Sequence, residues 1–234
     1  MKGLIAFIVV SLICGVAYGV DLQLGAEVDV VLDRDVNLQN SGVEADYTAQ
    51  YYDVTLESKI GSVTLTPKAG IQTLQLSGDV FGTDVDLNSG IGWNVGIDGQ
   101  MDVYSCKYVD VALIGSYRFS RTDIDEVEIG ALSIDNPIET ITYLHEYELG
   151  VQVSKDLRAW NVPLTPSLGL VYSDMRGDID VNLSVIDLDE EIEADKNIGV
   201  RLGLEANPIG DLYCSINAKL VDQTALTGQV SYRF

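Results

Sequence analysis

From Leu22 onward the chain alternates apolar and polar residues with a period of two. Leu22, Leu24, Ala26, Val28, Val30 and Leu32 share one parity, and Gln23, Gly25, Glu27 and Asp29 share the other. That is the mark of a strand with one greasy and one wet face. The pattern returns in Tyr52, Val54 and Leu56 against Asp53, Thr55 and Glu57, and in Val63, Leu65, Pro67, Ala69 and Ile71 against Thr64, Thr66, Lys68 and Gln72. It returns again in Ile91, Trp93, Val95, Ile97 and Met101 against Asn94, Asp98, Gln100 and Asp102. Further apolar faces run from Val109 to Phe119, Tyr147 to Val153, Leu164 to Tyr172, Ile198 to Leu204 and Leu212 to Leu220, and the last holds Leu226, Gly228, Val230, Tyr232 and Phe234. The reading is all-β with about ten strands, eight or twelve being the neighbouring even counts.

The connectors alternate in length. Ile60-Gly61, Tyr104 to Cys106, Lys155 to Val162 and Asn207 to Gly210 form the shorter set, while Asp33 to Ala45, Ser77 to Asn88, Thr122 to Pro137 and Met175 to Ala194 form the longer. Alternation of this kind predicts a transmembrane antiparallel up-and-down β-barrel, with short periplasmic turns, long acidic extracellular loops and both termini at the short-turn end. Tyr52, Trp93, Tyr117, Phe119, Tyr143, Tyr147 and Tyr172 have outward parity toward the long-connector end, and Tyr232 and Phe234 fall at the opposite rim. Such belts are expected where lipid meets headgroups. Leu113, Val151 and Leu202 then fall near mid-membrane, with Ala112, Gln152 and Arg201 inside.

The start of the chain reads as a leader. Lys2 precedes an apolar run from Leu4 to Ile13, and Ala17-Tyr18-Gly19 is a small-x-small cleavage site, so residues 1–19 are expected to leave a barrel of residues 20–234. Cys14 follows Ile13, whereas lipid-modified cysteines usually follow a small residue, which argues against lipidation. Beyond Gly19 no stretch reaches the eighteen or more apolar residues of a spanning helix, so a membrane form must be a closed barrel.

The final segment, Leu226-Thr227-Gly228-Gln229-Val230-Ser231-Tyr232-Arg233-Phe234, resembles the C-terminal strand of bacterial outer-membrane proteins. With the leader, the chain resembles the small bacterial outer-membrane β-barrel superfamily. The resemblance implies a bacterial outer-membrane location, outer-membrane lipids as surroundings, and handling by the secretion and barrel-assembly machinery with Tyr232 and Phe234 as the assembly signal. It implies little chemistry, because such folds host many functions.

Charge narrows the partners. The chain carries 36 acids and 14 bases, a net charge of −22, which excludes nucleic acid. Asp123, Asp125, Glu126, Glu128 and Asp135 crowd one external segment, and the stretch from Asp178 to Asp195 crowds another. A solvated anionic face is the plain reading. The alternative is divalent-cation binding by Asp178, Asp180, Asp187 and Asp189, since clustered carboxylates are hard oxygen ligands, although no full Asp-x-Asp-x-Asp-Gly loop is present. Beyond the leader only Cys106 and Cys214 remain, without CxxC spacing, and they read as two unpaired thiols.

Interior parity collects the acids Glu27, Asp29, Asp53, Glu57, Asp98, Asp102, Asp110, Glu146, Glu148 and Glu205 and the bases Lys59, Lys68, Arg118, Arg201, Lys219 and Arg233, with Glu27, Asp53, Arg118, Glu146, Glu148 and Arg201 as the expected charge network. Buried charges must pair, so a charge-paired plug is expected, with a slightly cation-favouring passage as the alternative. The sole histidine, His145, shares parity with Tyr147 and Leu149 and should face outward, away from any interior nucleophile. Omptin proteases combine an Asp pair with an Asp-His pair; here Asp84 and Asp86, Asp123 and Asp125, and Asp178 and Asp180 have no histidine beside them. The glycines of Gly90 to Gly96 alternate with no helix following, which makes room in a narrow barrel and does not build a dinucleotide loop. The expected function is a structural or surface-interaction barrel with an anionic external face, without cofactor or catalysis. A narrow cation-favouring porin is the alternative, and a surface hydrolase of omptin or lipase type comes third.

Overall fold

A computed structural model describes residues 21–80, 83–130, 132–135, 139–159, 162–183, 186–195 and 197–234. The expected leader lies outside them. The strands are β1 (Asp21–Asp33), β2 (Asp35–Leu38), β3 (Val43–Ile60), β4 (Val63–Val80), β5 (Thr83–Ser89), β6 (Gly92–Ser105), β7 (Asp110–Ile129) and β8 (Leu132–Asp135). They continue as β9 (Glu139–Ser154), β10 (Leu157–Ala159), β11 (Val162–Leu183), β12 (Ile186–Ala194), β13 (Ile198–Ile209), β14 (Leu212–Leu220) and β15 (Thr224–Arg233).

Among the described residues ten of these strands close a ring in chain order: β1, β3, β4, β6, β7, β9, β11, β13, β14 and β15. Each pairs antiparallel with the next. β15 returns to β1 from Gln23↔Arg233 to Val30↔Leu226, leaving no free edge. Gly61 and Gly210 take positive φ, 63° and 55°, in the tight turns of the short-connector end, where glycine alone avoids a Cβ penalty.

The expected long loops are a correction. The segments Asp33 to Ala45, Ser77 to Asn88, Thr122 to Pro137 and Met175 to Ala194 are largely strand, built from β2, β5, β8, β12 and the far ends of β3, β4, β7 and β11. Pairing continues around a second, smaller ring of β2, β3, β4, β5, β7, β9, β11 and β12. It closes through three residue pairs between β12 and β2, from Ile192↔Leu38 to Ala194↔Val36.

The two rings share strands but have opposite polarity. On β3, Asp53 and Thr55 point inward and Tyr52 and Val54 outward; in the preceding residues the inward set is Ala45, Tyr47, Ala49 and Tyr51, and the outward set includes Glu44, Asp46 and Gln50. On β11 the exposed face runs Leu168, Leu170, Tyr172 and then Arg176 and Asp178, while the interior runs Ser173 and then Met175 and Ile179. The strand does not slip; its surroundings change. A fixed-face search for alternation loses the strand where hydrophobic and polar residues exchange sides, which is why these segments read as loops. On β7 a register irregularity opposite Asn88 and Ser89 adds to the confusion, since Ile124 and Val127 both point inward three positions apart.

The lower ring presents an exposed apolar girdle that includes Val28, Leu113, Val151, Leu168, Leu170 and Leu202, and encloses polar side chains. The upper ring has the arrangement of a water-soluble barrel, acidic outside and dry inside. Its core contains Val36, Tyr47, Leu76, Val127, Leu144, Met175 and Ile192, each nearly without solvent contact.

Candidate functional site

Polar-inward parity in the lower ring sends charged side chains into a narrow lumen, where each must find a partner. Arg118 on β7 is the hub. Its Nη1 donates to Asp29 Oδ2 at 2.9 Å and its Nη2 to Asp53 Oδ2 at 3.3 Å, with Glu146 at 3.6 Å and Glu27 at 3.7 Å. The guanidinium also lies 3.8 Å from the Tyr51 ring centroid, a stacked cation–π geometry. Lys68 Nζ bridges Glu27 at 3.1 Å and Asp98 at 3.0 Å. Across the lumen Glu148 receives Arg201 at 3.3 Å and Lys219. The structure thus brings Glu27, Asp53, Arg118 and Glu146 into one cluster and Glu148 and Arg201 into another that lines the same cavity.

Above the charges the lumen turns apolar. Tyr47 and Tyr51 share a hydroxyl contact of 2.6 Å, and Tyr51 donates to Glu146 Oε1 at 3.3 Å, so a phenol pair joins the charge layer to the dry core. Burial pushes the Tyr47 phenol well up, keeping it a neutral donor. Arg34 enters from the β1–β2 junction to Glu146 at 3.8 Å and Ser173 at 3.4 Å, and Ser173 also bonds the buried Asp222. Sequence reasoning missed Arg34, Tyr47, Tyr51 and Asp222 because Arg34 fell in an expected loop, Asp222 lies in the turn between β14 and β15, and the two tyrosines required the polarity exchange. Tyr47 and Tyr51 are legible once strand parity is carried through the exchange.

The cavity among the charges measures only about 70 Å³, while below it a polar vestibule of about 220 Å³ opens toward the short-turn end. Glu57, Asp98, Glu205 and several hydroxyls and amides line that vestibule. From the short-turn end, then, the lumen runs vestibule, charge layer, apolar cap.

Of the metal candidates, Asp178 is exposed on β11, opposite Glu191 on β12. The backbone puts Asp180 opposite Asp189 and Asn182 opposite Asp187, while the side chains of Asp180, Asp187 and Asp189 lie outside the described residues. Among the described residues the carboxylates that approach one another are those of Asp33, Asp35 and Asp46, whose oxygens lie within 4.8 Å. Glu190, grouped with the solvated acids in the sequence, is buried. Its carboxylate accepts the backbone N–H groups of Asn40 and Ser41, each at 3.1 Å, and so ties β12 to the β2–β3 turn.

His145 stands on the outer face, bonded through Nδ1 to the Tyr117 hydroxyl at 2.9 Å and 4.9 Å from the Phe119 ring. Trp93, Tyr143 and Tyr147 extend this aromatic patch across β6, β7 and β9. At the other rim Tyr232 and Phe234 pack edge to face at 5.3 Å, and the Phe234 N–H donates to Leu22 O at 3.0 Å, joining the chain end to β1. Cys106 and Cys214 are free thiols.

No family model matches this sequence, and no curated protein matches it. Among solved structures it is similar to the translocator domain of autotransporter NalP from Neisseria meningitidis, with a TM-score of 0.50 and 14% identity, covering 100% of this chain and 97% of that one. It is similar also to the outer membrane protease OmpT from Escherichia coli, at TM-score 0.49 and 8% identity over 92% of this chain and 96% of that one. At such identities the likeness is one of fold, and the fold is that of the bacterial outer-membrane β-barrels.

Proposed function

We propose that this chain, folded as an outer-membrane-type barrel, is a sealed multi-pass barrel of the bacterial outer membrane that serves a structural or surface-interaction role. It would reach the membrane by a cleaved signal peptide and the barrel-assembly machinery. The apolar girdle supports the membrane reading, because an exposed band of Leu, Val and Ile around a monomer needs an apolar partner, and a closed barrel meets the demand that lipid places on backbone hydrogen bonds.

One observation carries the sealed reading: the dry core that fills the smaller ring directly above the charge layer. An ion leaving the vestibule would have to cross Arg118 and its carboxylates and then an apolar layer that includes the buried Tyr47, Leu76, Val127 and Met175. The smaller ring then stands beyond the lipid as a rigid collar with acids outward, suited to contact with cationic partners or divalent ions through groups such as Asp33, Asp35 and Asp46. The absence of a catalytic role is part of the proposal. It is supported by His145, the sole histidine, being held in an external aromatic patch.

Planar-bilayer recording of the refolded protein tests this. The expected trace shows no unitary steps in the intact protein, and steps after Tyr47→Gly and Tyr51→Gly open the cap. Cation-selective steps from the intact protein would refute the sealed barrel and favour the narrow porin.

A further inference from the structure

On the outer face of the barrel, Arg121 has no carboxylate within ion-pair distance among the described residues. Arg121 sits on β7 at the upper edge of the girdle: below it on the same face lie Phe119 and Tyr117, above it Asp123. Strand pairing places it between Trp93 on β6 and Tyr143 on β9. Its guanidinium is 5.5 Å from the Tyr143 ring centroid, and the residue is half-buried. Arg34, Arg118, Arg176 and Arg201 all have carboxylates within ion-pair distance. Among the described residues Arg121 has none, although the chain carries a net charge of −22 and acids lie directly above.

A guanidinium beside an aromatic face, on a half-buried residue at the height where apolar residues give way to acidic ones, lacks only an anion. From this geometry we infer that Arg121, flanked by Trp93 and Tyr143, binds the phosphate of an anionic lipid headgroup. The inference rests on the membrane reading above. A guanidinium fork matches phosphate oxygens, and the aromatic pair sits where rings and headgroups meet. The neighbouring Arg176 does not share the role, since Asp174 at 3.1 Å and Glu193 at 3.9 Å already neutralise it. The acidic collar repels anionic lipids elsewhere, so the contact is local.

Trp93 reports directly on this site. With Trp160→Phe as background, the barrel is refolded into vesicles of brominated phosphatidylcholine, or of phosphatidylcholine with a fraction of brominated phosphatidylglycerol, and Trp93 quenching gives the relative association constant of the anionic lipid. The expected preference is about five-fold, as for one arginine near an anionic surface. It should vanish in Arg121→Gln, persist in part in Arg121→Lys, stay unchanged in Arg176→Gln, and fall in high salt in the unmodified protein. The salt series needs no variant to fold. A preference that survives both Arg121→Gln and high salt would overturn the assignment. Loss of the preference on adding inorganic phosphate would show a site for free phosphate instead of lipid. Quenching of Trp93 by neither lipid would overturn the membrane reading on which the inference depends.

Discussion

Strand β11 crosses both environments with one unbroken parity, so arginine placed at two outward positions should read out the polarity exchange. Leu168 faces outward in the middle of the girdle, between Pro166 and Leu170 and opposite Val153 and Leu202. In lipid, arginine at mid-depth on a barrel costs roughly 2–4 kcal/mol. Asp178 faces the same way ten residues on, about 33 Å along the strand at the usual rise per residue, and is exposed on the acidic collar. There Asp178→Arg should change stability by no more than about 0.5 kcal/mol. The two variants should therefore differ by at least about 1.5 kcal/mol, roughly ten-fold in folding equilibrium, each 1.4 kcal/mol being tenfold. Reversible urea unfolding in zwitterionic vesicles, followed by tryptophan fluorescence and gel mobility, measures both. The inward neighbour supplies the complement: Ile179, 2% exposed in the dry core, should lose about 2–5 kcal/mol on Ile179→Ala. Equal losses for Leu168→Arg and Asp178→Arg, or a negligible loss for Ile179→Ala, would refute the exchange of inside and outside along this strand.

Arg118→Met should destabilise the barrel by about 3–5 kcal/mol in the same assay, because it strands the carboxylates of Asp29, Asp53 and Glu146 around an empty place; a loss below about 1 kcal/mol would show that the cluster is solvated. Deleting Phe234 should reduce folded yield in the outer membrane far more than Glu191→Gln on the collar, and equal yields would argue against the chain end as an assembly signal. The Cys106 thiol, in the β6–β7 turn, is held below its usual range by hydrogen bonds from the backbone N–H groups of Tyr108 and Val109. A lowered value means that thiolate persists to lower pH, so its alkylation rate should rise at lower pH than that of a small free thiol, and a coincident profile would contradict the turn geometry.

The ten-strand wall, its closure between β1 and β15, and the inward set around Arg118 were all legible in the sequence. Period-two alternation is local, and a residue such as Val151 or Gln152 reveals its side through its immediate neighbours. The outward place of His145 followed from the same parity. What the chain alone could not decide is where along each strand lipid ends. Ala45, Tyr47, Ala49 and Tyr51 alternate as cleanly as Tyr52, Val54 and Leu56, but with the opposite phase, and phase acquires meaning only when the height of each residue in the closed barrel is known. That height depends on β2 meeting β12 and β5 meeting β7, pairings between segments far apart in sequence. The burial of Glu190 and the entry of Arg34 into the lumen follow from those pairings too. Local pattern determined the strands and their faces; the ring closure above the girdle decided that the inside of the barrel is wet below and dry above, because only the assembled wall separates lipid, lumen and water.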